Sequence, residues 1–329
     1  MPSSRTASAL AHPNIALIKY WGNRDDDLRL PANGSISMTL DALETRTTVS
    51  YDPALKADEL LLNGETAPAG VLRRVQGHLD WIRSRAGLTS PARVDSRSNF
   101  PSGAGIASSA SAFAALTVAA CAAAGLDLTL EELSRLARRG SGSACRSIHG
   151  GFVEWHAGED DATSFAELLA PSDHWELADV IALVSHQPKL VGSTEGHIRA
   201  ASSPLQAGRL ADTPRRLRLC RKAVLARDFA GLANVAELDS NMMHSVMITS
   251  APPLAYWSPE TLRLMHAVVD WRSEGLQVFY TVDAGPNVHC LCPAGDQAEV
   301  SARLMDLPGV HQVVTAPVGG AARLVPTVG

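Results

Sequence analysis

The stretch Asn99-Phe-Pro-Ser-Gly-Ala-Gly-Ile-Ala-Ser-Ser109 constrains the fold of this chain more than any other segment. Its glycines and serines run directly into the Ala-rich segment 110–124, a pattern that favours a loop followed by a buried helix. Such a helix directs free N–H groups and the positive end of its dipole towards an anion, typically a phosphate. An ordinary Gly/Ser turn before a core helix accounts equally well for the same residues, so both interpretations stay open.

The stretch departs from two common phosphate-loop patterns. No lysine follows the glycines, as the G-x-x-x-x-G-K-[ST] loop requires. Gly103 and Gly105 are followed by Ser108 where G-x-G-x-x-G needs its third glycine. Neither a P-loop nor a dinucleotide-binding unit is therefore predicted here.

Composition narrows the class of protein. The chain has 329 residues, 46% of them hydrophobic, enough for one large or two ordinary domains, and its net charge of −5 argues against a nucleic-acid binder. Its five cysteines have irregular spacing, which predicts reduced, buried thiols rather than a zinc site. The N-terminal residues show no signal-type apolar run, and segment 110–128 falls short of the roughly 20 residues that a membrane span needs. We therefore expect a cytoplasmic protein with no membrane or nucleic-acid partner.

The order of the predicted elements indicates two α+β domains side by side. Strands are predicted at 36–40, 45–51 and 179–185, whereas longer helices follow at 204–220, 222–236 and 258–274. The pattern changes near Pro188, which predicts an N-terminal domain over 1–187 and a C-terminal domain over 188–329.

Four Gly/Ser-rich or basic segments recur at predicted strand-to-helix junctions. They cover 19–24, 99–109, 141–146 and 193–196. Each one alone is compatible with an ordinary turn, but together they supply the donors that grip several phosphates. Arg146, directly after Ser-Gly-Ser, suits a forked contact to an anion, although a structural salt bridge would explain it too.

Two further charged residues are candidates for chemistry. Asp283 follows the apolar strand 277–282, where it serves either as a turn residue or as a general base. Lys19 is the only charged residue between Ala9 and Gly22, and it either snorkels or supports an anion electrostatically. The residues alone thus predict an enzyme that handles a nucleotide phosphate and a second small anion.

Six motifs, in this order, resemble the mevalonate diphosphate decarboxylase family of the GHMP kinase superfamily. They are Ala16-Leu-Ile-Lys-Tyr-Trp-Gly22, Asn99–Ala110, Ser141-Gly-Ser-Ala-Cys-Arg-Ser147, Gly151-Phe-Val-Glu-Trp155, Ser193-Thr-Glu-Gly196 and Asp283-Ala-Gly-Pro-Asn287. The resemblance implies a two-domain GHMP kinase-like fold with the active site in the interdomain cleft, and commonly a homodimer. It also implies ATP-dependent decarboxylation of a phosphorylated mevalonate, with ATP and Mg²⁺ as cofactors.

The same resemblance assigns roles to individual residues. Asp283 would orient or deprotonate the 3-hydroxyl, Lys19 would add positive charge at the reacting centre, and Arg146 would hold the substrate carboxylate. The candidate substrate-binding residues are Tyr20, Asn23, Ser141, Gly142, Ser143, Arg146, Ser193 and His197. The candidate residues for the ATP phosphates are Ser102, Gly103, Gly105, Ala107, Ser108 and Ser109, with Ser108 also proposed to contact Mg²⁺.

Two departures from the family pattern bear on the substrate. The first motif usually ends in Tyr-Trp-Gly-Lys but here ends in Asn23, and the Met that usually follows Ser-Thr-x-Gly is replaced by His197. Loss of a lysine beside the distal phosphate weakens diphosphate binding, because two unit charges ~4 Å apart interact by about 4 kcal/mol at an effective dielectric near 20. The sequence therefore favours 5-phosphomevalonate, giving isopentenyl phosphate, ADP, phosphate and CO₂. The alternative is 5-diphosphomevalonate, with Arg24 or another cation compensating; a mevalonate 3-kinase or a non-catalytic nucleotide-binding protein is less favoured.

Overall fold

The computed structural model describes residues 5–100, 108–185 and 191–327, and its mixed α+β architecture is built from three larger sheets and a small hairpin. The strands are β1 (Arg5–Ala11), β2 (Asn14–Ile18), β3 (Asn23–Asp25), β4 (Leu30–Pro31), β5 (Ser35–Thr39), β6 (Thr45–Tyr51), β7 (Glu59–Leu62), β8 (Glu65–Thr66), β9 (Ala92–Ser98), β10 (Phe152–Trp155), β11 (Ala166–Ala170), β12 (Leu177–Leu183), β13 (Phe279–Thr281), β14 (Val288–Pro293), β15 (Gln312–Pro317) and β16 (Arg323–Val325). The helices are α1 (Ala69–Ala86), α2 (Ser108–Ala123), α3 (Leu130–Gly140), α4 (Ser193–Arg199), α5 (Gln206–Ala226), α6 (Phe229–Ile248), α7 (Pro259–Ser273) and α8 (Gln297–Met305).

The Ala-rich segment forms α2, as predicted, and packs on the first sheet. That sheet has the order β16-β1-β6-β9-β7-β8, and β6 alternates buried and half-buried residues along its length. Alanines on α2 let the helix backbone approach β1 and β6 closely, so Ala9, Val49 and Ala115 share one fully buried cluster. This packing fixes the position of the first turn of α2, where Ser108 and Ser109 lie.

Two further sheets are joined by the helix pair α5 and α6. One sheet has the order β11-β10-β5-β2, and the other has the order β13-β14-β12-β15. Val224 of α5 and Leu232 of α6 belong to the same buried cluster as Ile15 of β2 and Phe279 of β13. The ends of β2 and β13 are therefore held near each other, which brings the segments after both strands to one cleft.

The sheet pairings cross the predicted domain boundary at 187/188. β12, before that boundary, pairs with β14 and β15 after it, whereas β16 near the C-terminus pairs with β1. Each half thus contributes a strand to a sheet of the other half. The boundary at 187/188 itself stays a prediction.

The three longer helices predicted for the second half are confirmed in order, but two boundaries are wrong. The second of these helices runs to Ile248 instead of ending at 236. The break predicted after 220 falls instead at Arg227, where a left-handed backbone (φ 55°) ends α5. Asp228 then begins α6 by accepting a hydrogen bond from the N–H of Gly231 at 2.9 Å. No helix in the described residues has the length and apolar character that a membrane crossing requires.

Candidate active site

A cavity of about 380 Å³ opens where the two halves of the chain meet. Its wall combines the residues after β2, the first turn of α2, the 3₁₀ turn after α3, the start of α4 and the residues after β13. The predicted site residues that line it are Lys19, Tyr20, Ser108, Ser109, Ser141, Gly142, Ser143, Arg146, Ser193, His197 and Asp283. Ser102, Gly103, Gly105 and Ala107 lie outside the described residues, so their predicted role stays a prediction.

Lys19 and Asp283 form an ion pair at the floor of this cavity. The Nζ of Lys19 donates to Oδ1 of Asp283 at 2.5 Å, and the lysine is buried while the carboxylate is 25% exposed. Burial works to raise the pKa of Asp283, but Lys19, His289 and Arg146 together lower it below its ordinary value. The carboxylate is therefore ionised at neutral pH and able to accept a hydrogen bond from an alcohol. Burial lowers the pKa of Lys19, an effect that Asp283 opposes.

The backbone of Lys19 is fixed by buried polar groups from α5 and α6. Its N–H donates to Oδ2 of Asp239 at 2.6 Å, and its carbonyl accepts from Nη2 of Arg209 at 2.7 Å and from Nδ2 of Asn33 at 2.9 Å. Arg216 also donates to Asp239, so the network is closed by a buried ion pair. These contacts preorganise the ammonium against Asp283.

Arg146 is buried in the 3₁₀ turn and its hydrogen-bond partners are neutral. Its Nε and Nη2 donate to Oδ1 of Asn14 at 3.2 and 3.0 Å, and its Nη1 donates to Oγ of Ser35 at 2.7 Å. No carboxylate in the described part of the chain pairs with it, which argues against the structural salt bridge considered above. Burial lowers the pKa of Arg146, because an uncompensated buried cation is costly. An anionic ligand in the cavity would relieve that cost.

Tyr20 packs tightly on the backbone of Gly142 and on the ring of His197. A Cβ added at Gly142 would lie 2.6 Å from Cε1 of Tyr20, so only glycine fits there. The rings of Tyr20 and His197 stack with centroids 4.1 Å apart. Nδ1 of His197 accepts the N–H of Gly22 at 2.9 Å, while burial, aided by Arg29 and Arg209, lowers the pKa of His197 to about 3. His197 is thus neutral, carries its proton on Nε2 and supplies a donor without a charge.

Asn23 is not among the described residues that line the cavity. Its Oδ1 accepts from the hydroxyl of Tyr20, and its Nδ2 donates to Oδ1 of Asp26 at 2.7 Å. The amide therefore positions Tyr20, and its predicted direct contact with substrate stays a prediction.

A second cavity of about 360 Å³ adjoins the first along the N-terminal turn of α2. Ser108, Ser109 and Arg74 line both cavities, and half of the residues that line the second cavity are aliphatic or aromatic. Its apolar residues are Leu60, Leu62, Val71, Val75, Val94, Ala112, Phe113 and Leu116. An apolar slot that opens beside hydroxyls and a guanidinium fits a nucleoside whose phosphates reach the first cavity. The described residues contain no cluster of three metal-ligating side chains, so Mg²⁺ would depend on phosphate oxygens and a hydroxyl such as that of Ser108.

Sequence reasoning missed several residues of the two cavities. Asn14 positions Arg146, Arg29 and Arg74 add cations, and Thr194 and Met243 complete the wall of the first cavity. The apolar residues of the second cavity gave no signal either, because in sequence they resemble ordinary core positions. A signal was available for Asn14, which lies in the same short buried strand that leads to Lys19, and for Thr194, which lies within the segment 193–196 singled out in the sequence.

Comparison with known proteins gives consistent matches along the chain. A family model described as "Diphosphomevalonate decarboxylase-like N-terminal domain" matches residues 11–166, and one described as "Mevalonate 5-diphosphate decarboxylase C-terminal domain" matches residues 179–320. The diphosphomevalonate decarboxylase of Candida albicans is 38% identical over 345 aligned residues, which cover 98% of this chain and 95% of the relative.

Solved structures give the same result. MDDEF in complex with MVAPP, AMPPCP and magnesium has a TM-score of 0.94 and 39% identity, covering 99% of this chain and 100% of that chain. The mevalonate diphosphate decarboxylase from Enterococcus faecalis has a TM-score of 0.92 and 38% identity with the same coverage. The predicted two-domain α+β fold of the GHMP kinase type is thereby confirmed.

Proposed function

The chain belongs to the diphosphomevalonate decarboxylase family and is an ATP-dependent decarboxylase, and on that premise we propose that its substrate is 5-diphosphomevalonate and its product isopentenyl diphosphate. The geometry that supports this reaction is the Lys19–Asp283 pair. It shares one cavity with Arg146, whose guanidinium pairs with no carboxylate in the described residues. A 3-hydroxy acid needs a protein carboxylate that accepts the proton of its hydroxyl and a guanidinium that binds its own carboxylate.

The proposed chemistry follows from these groups. Asp283 accepts the proton of the tertiary 3-hydroxyl, and Lys19 holds the Asp283 carboxylate in position beside that hydroxyl. ATP, with Mg²⁺, supplies the phosphoryl group that converts the 3-hydroxyl oxygen into a leaving group. Arg146 orients the substrate carboxylate while phosphate leaves C3 with the C–O electron pair, the bond between the carboxyl carbon and C2 breaks to release CO₂, and the electron pair of that bond forms the new C2–C3 double bond. Tyr20, Ser141, Ser143 and Ser193 line the remaining wall and would face the phosphorylated end.

The diphosphate is preferred here over the monophosphate that the sequence alone favoured. The relatives are named diphosphomevalonate decarboxylases, and one solved neighbour was determined with MVAPP. The argument for the monophosphate rested on the missing lysine at Asn23, yet Arg29 and Arg74 line the same cavity and carry the positive charge that Asn23 lacks. Arg24, the compensating residue considered first, instead donates to the carbonyls of Ala157 and Gly158.

One assay tests the substrate. The pure enzyme is given 5-diphosphomevalonate or 5-phosphomevalonate with MgATP, and ADP and CO₂ are followed together. We expect kcat/KM to be at least about tenfold higher for the diphosphate, with one CO₂ per ADP. A preference for the monophosphate would overturn the proposal, and ADP without CO₂ would indicate a 3-kinase.

The remaining expectations from the family resemblance also belong to the proposal. We infer that the enzyme is a cytoplasmic homodimer with domains over 1–187 and 188–329. Light scattering on the purified chain gives the oligomeric state, with a monomeric mass as the contrary result. Limited proteolysis near 188 tests the boundary, and cell fractionation tests the location.

A further inference from the structure

Arg29 lines the active-site cavity without a carboxylate partner. Its Nε donates to the carbonyl of Arg139 at 3.0 Å, and no acidic side chain in the described part of the chain pairs with its guanidinium. Arg83, by contrast, is neutralised by ion pairs with Asp58 and Asp80. The Arg29 guanidinium, with its two terminal nitrogens, thus keeps a full positive charge at the cavity wall.

The backbone that precedes Arg29 is held by two hydrogen bonds of Leu28. Leu28 donates its N–H to Oδ1 of Asp25 at 2.8 Å, and its carbonyl accepts from Nε of the buried Arg138 at 3.1 Å. Arg29 itself has φ of 50°, a left-handed conformation that non-glycine residues rarely adopt. The two hydrogen bonds of the neighbouring Leu28 and the contact of Arg29 Nε with Arg139 preorganise Arg29, since binding a ligand would cost it little further ordering.

Arg29 lies in the turn between β3 and β4, a hairpin that starts beside both Tyr20 and His197. Asn23, which pairs with Pro31 in this hairpin, accepts from the hydroxyl of Tyr20, and the N–H of Gly22 donates to His197. After burial, Arg29 is the next influence that lowers the pKa of His197. It also acts on the phenol of Tyr20, whose pKa burial raises and Arg29 lowers. The hairpin geometry and the lining of the cavity together put Arg29 on the side where Tyr20 and His197 stack, which is the side assigned to the phosphorylated part of the substrate.

The other groups at that end carry no free charge. His197 is neutral, Asn23 is an amide engaged with Tyr20 and Asp26, and Lys19 is paired with Asp283. Arg74 donates to the carbonyl of Gly140, the residue after the Arg139 whose carbonyl Arg29 contacts, so the two guanidinium groups are neighbours. Arg74 differs in that it also lines the second cavity with Ser108 and Ser109, which suits the nucleotide phosphates. A second phosphate on the substrate would need a cation that these groups do not supply.

From this arrangement we infer that Arg29 binds the terminal phosphate of the substrate and sets the preference for diphosphate over monophosphate. Arg29, in the turn between β3 and β4, supplies the positive charge that a lysine at position 23 would have carried. This inference rests on the proposed function. A planar guanidinium that is tied at Nε and free at both terminal nitrogens matches two phosphate oxygens.

The test compares Arg29→Gln with Arg24→Gln, its matched control five residues away. Arg24 donates only to backbone carbonyls and is absent from the cavity wall in the described residues. For Arg29→Gln we expect kcat/KM with 5-diphosphomevalonate to fall about 10- to 100-fold, mainly through KM, while the value with 5-phosphomevalonate stays within about threefold. For Arg24→Gln both values stay within about threefold of the wild type.

Several results would overturn the inference. An equal loss on both substrates would place Arg29 in folding or nucleotide binding, and no loss on the diphosphate would remove it from the site. If Arg29→Gln unfolds early in thermal melts, Arg29→Asn, which tolerates the left-handed backbone, carries the same test. A wild type that fails on the diphosphate contradicts the proposed function instead, so the two failures are distinguishable.

Discussion

Nζ of Lys19 lies 2.5 Å from Oδ1 of Asp283, across a separation of 264 residues in the chain. The two residues follow strands of different sheets, β2 and β13, whose ends are brought together by α5 and α6. The reacting centre therefore exists only when both halves of the chain are folded against each other. The pair also means that the charge of each group depends on the other.

Asp283→Asn removes the base but keeps the shape of the side chain. We expect kcat to fall by about 10²- to 10⁴-fold, because general-base assistance contributes about that much. KM for the mevalonate substrate should change little, since Arg146 and the phosphate-binding groups remain. Single-turnover ADP formation measures the effect, and Asp80→Asn, at a 68% exposed carboxylate, is the control. Turnover of Asp283→Asn within tenfold of the wild type would remove Asp283 from the chemistry.

Lys19→Met should shift the pH dependence of the reaction. Lys19 is the strongest of the groups that lower the pKa of Asp283, with His289 and Arg146 behind it, whereas burial raises that pKa. Without Lys19 the pKa of Asp283 rises, so the carboxylate is lost at a higher pH than in the wild type. The acid limb of the kcat/KM profile should therefore move to higher pH, in addition to a lower plateau. A profile with a reduced plateau but an unmoved acid limb would show that the limb belongs to another group.

Much of this centre was predictable because its residues stand out locally. Lys19 and Asp283 are single charges at the ends of apolar strands, and Ser141, Gly142 and Ser143 form a small-residue turn beside Arg146. The Ala-rich helix and the helices after residue 204 were likewise visible as patterns, although Arg227 moved one boundary. These features depend on short-range chemistry, which a sequence displays directly.

The residues that were missed depend on tertiary contacts. Arg29 sits in a polar turn and looks like an ordinary surface arginine until the turn is seen folded against Arg139. The wall of the second cavity is apolar, so its positions could not be distinguished from core positions. The weight placed on Asn23 by the sequence prediction has the same origin, because its hydrogen bond with Tyr20 and the presence of Arg29 in the cavity wall are both products of the fold.

Asn14 should prove to be a positioning residue for Arg146. Its Oδ1 accepts two hydrogen bonds from the guanidinium, and its Nδ2 donates to Oγ of Ser147 at 2.7 Å. Asn14→Ala frees the guanidinium and should lower kcat/KM about tenfold. Asn14→Asp keeps the acceptor but adds a negative charge that competes with the substrate carboxylate, so its loss should be larger. Steady-state kinetics with both variants checks the order, and a smaller loss for Asn14→Asp would contradict the assignment of Arg146 to the carboxylate.

Val71→Trp should fill part of the second cavity. Val71 lies on α1 and is 40% exposed, so the larger side chain can be accommodated without disturbing the core. We expect KM for ATP to rise at least about tenfold while KM for the mevalonate substrate stays within about threefold. Val269→Trp on α7 is the matched control, because Val269 is 44% exposed and lines neither cavity in the described residues. An unchanged KM for ATP would exclude this cavity as the nucleoside site.

Asp161 should contribute stability that depends on pH. It pairs with Arg135, Arg138 and Arg139, and Arg138 is buried. Burial works to raise the pKa of Asp161, but the three arginines, Arg139 foremost, lower it to about 2. A carboxyl whose pKa is lower in the folded state stabilises the protein above its unfolded pKa of about 4 and loses that effect as the pH falls towards 2.

Asp161→Asn should therefore lower the free energy of unfolding by about 1–3 kcal/mol at pH 7, because it leaves a buried guanidinium without its counter-charge. When urea unfolding is repeated at lower pH, the gap between variant and wild type should stay near its pH 7 value at pH 5, begin to shrink near pH 4 and be clearly smaller at pH 3. Asp80→Asn, which removes an exposed carboxylate and leaves Arg83 paired with Asp58, should cost less than about 1 kcal/mol at any of these pH values. A gap for Asp161→Asn that persists undiminished at pH 3 would mean that the asparagine disturbs packing rather than charge.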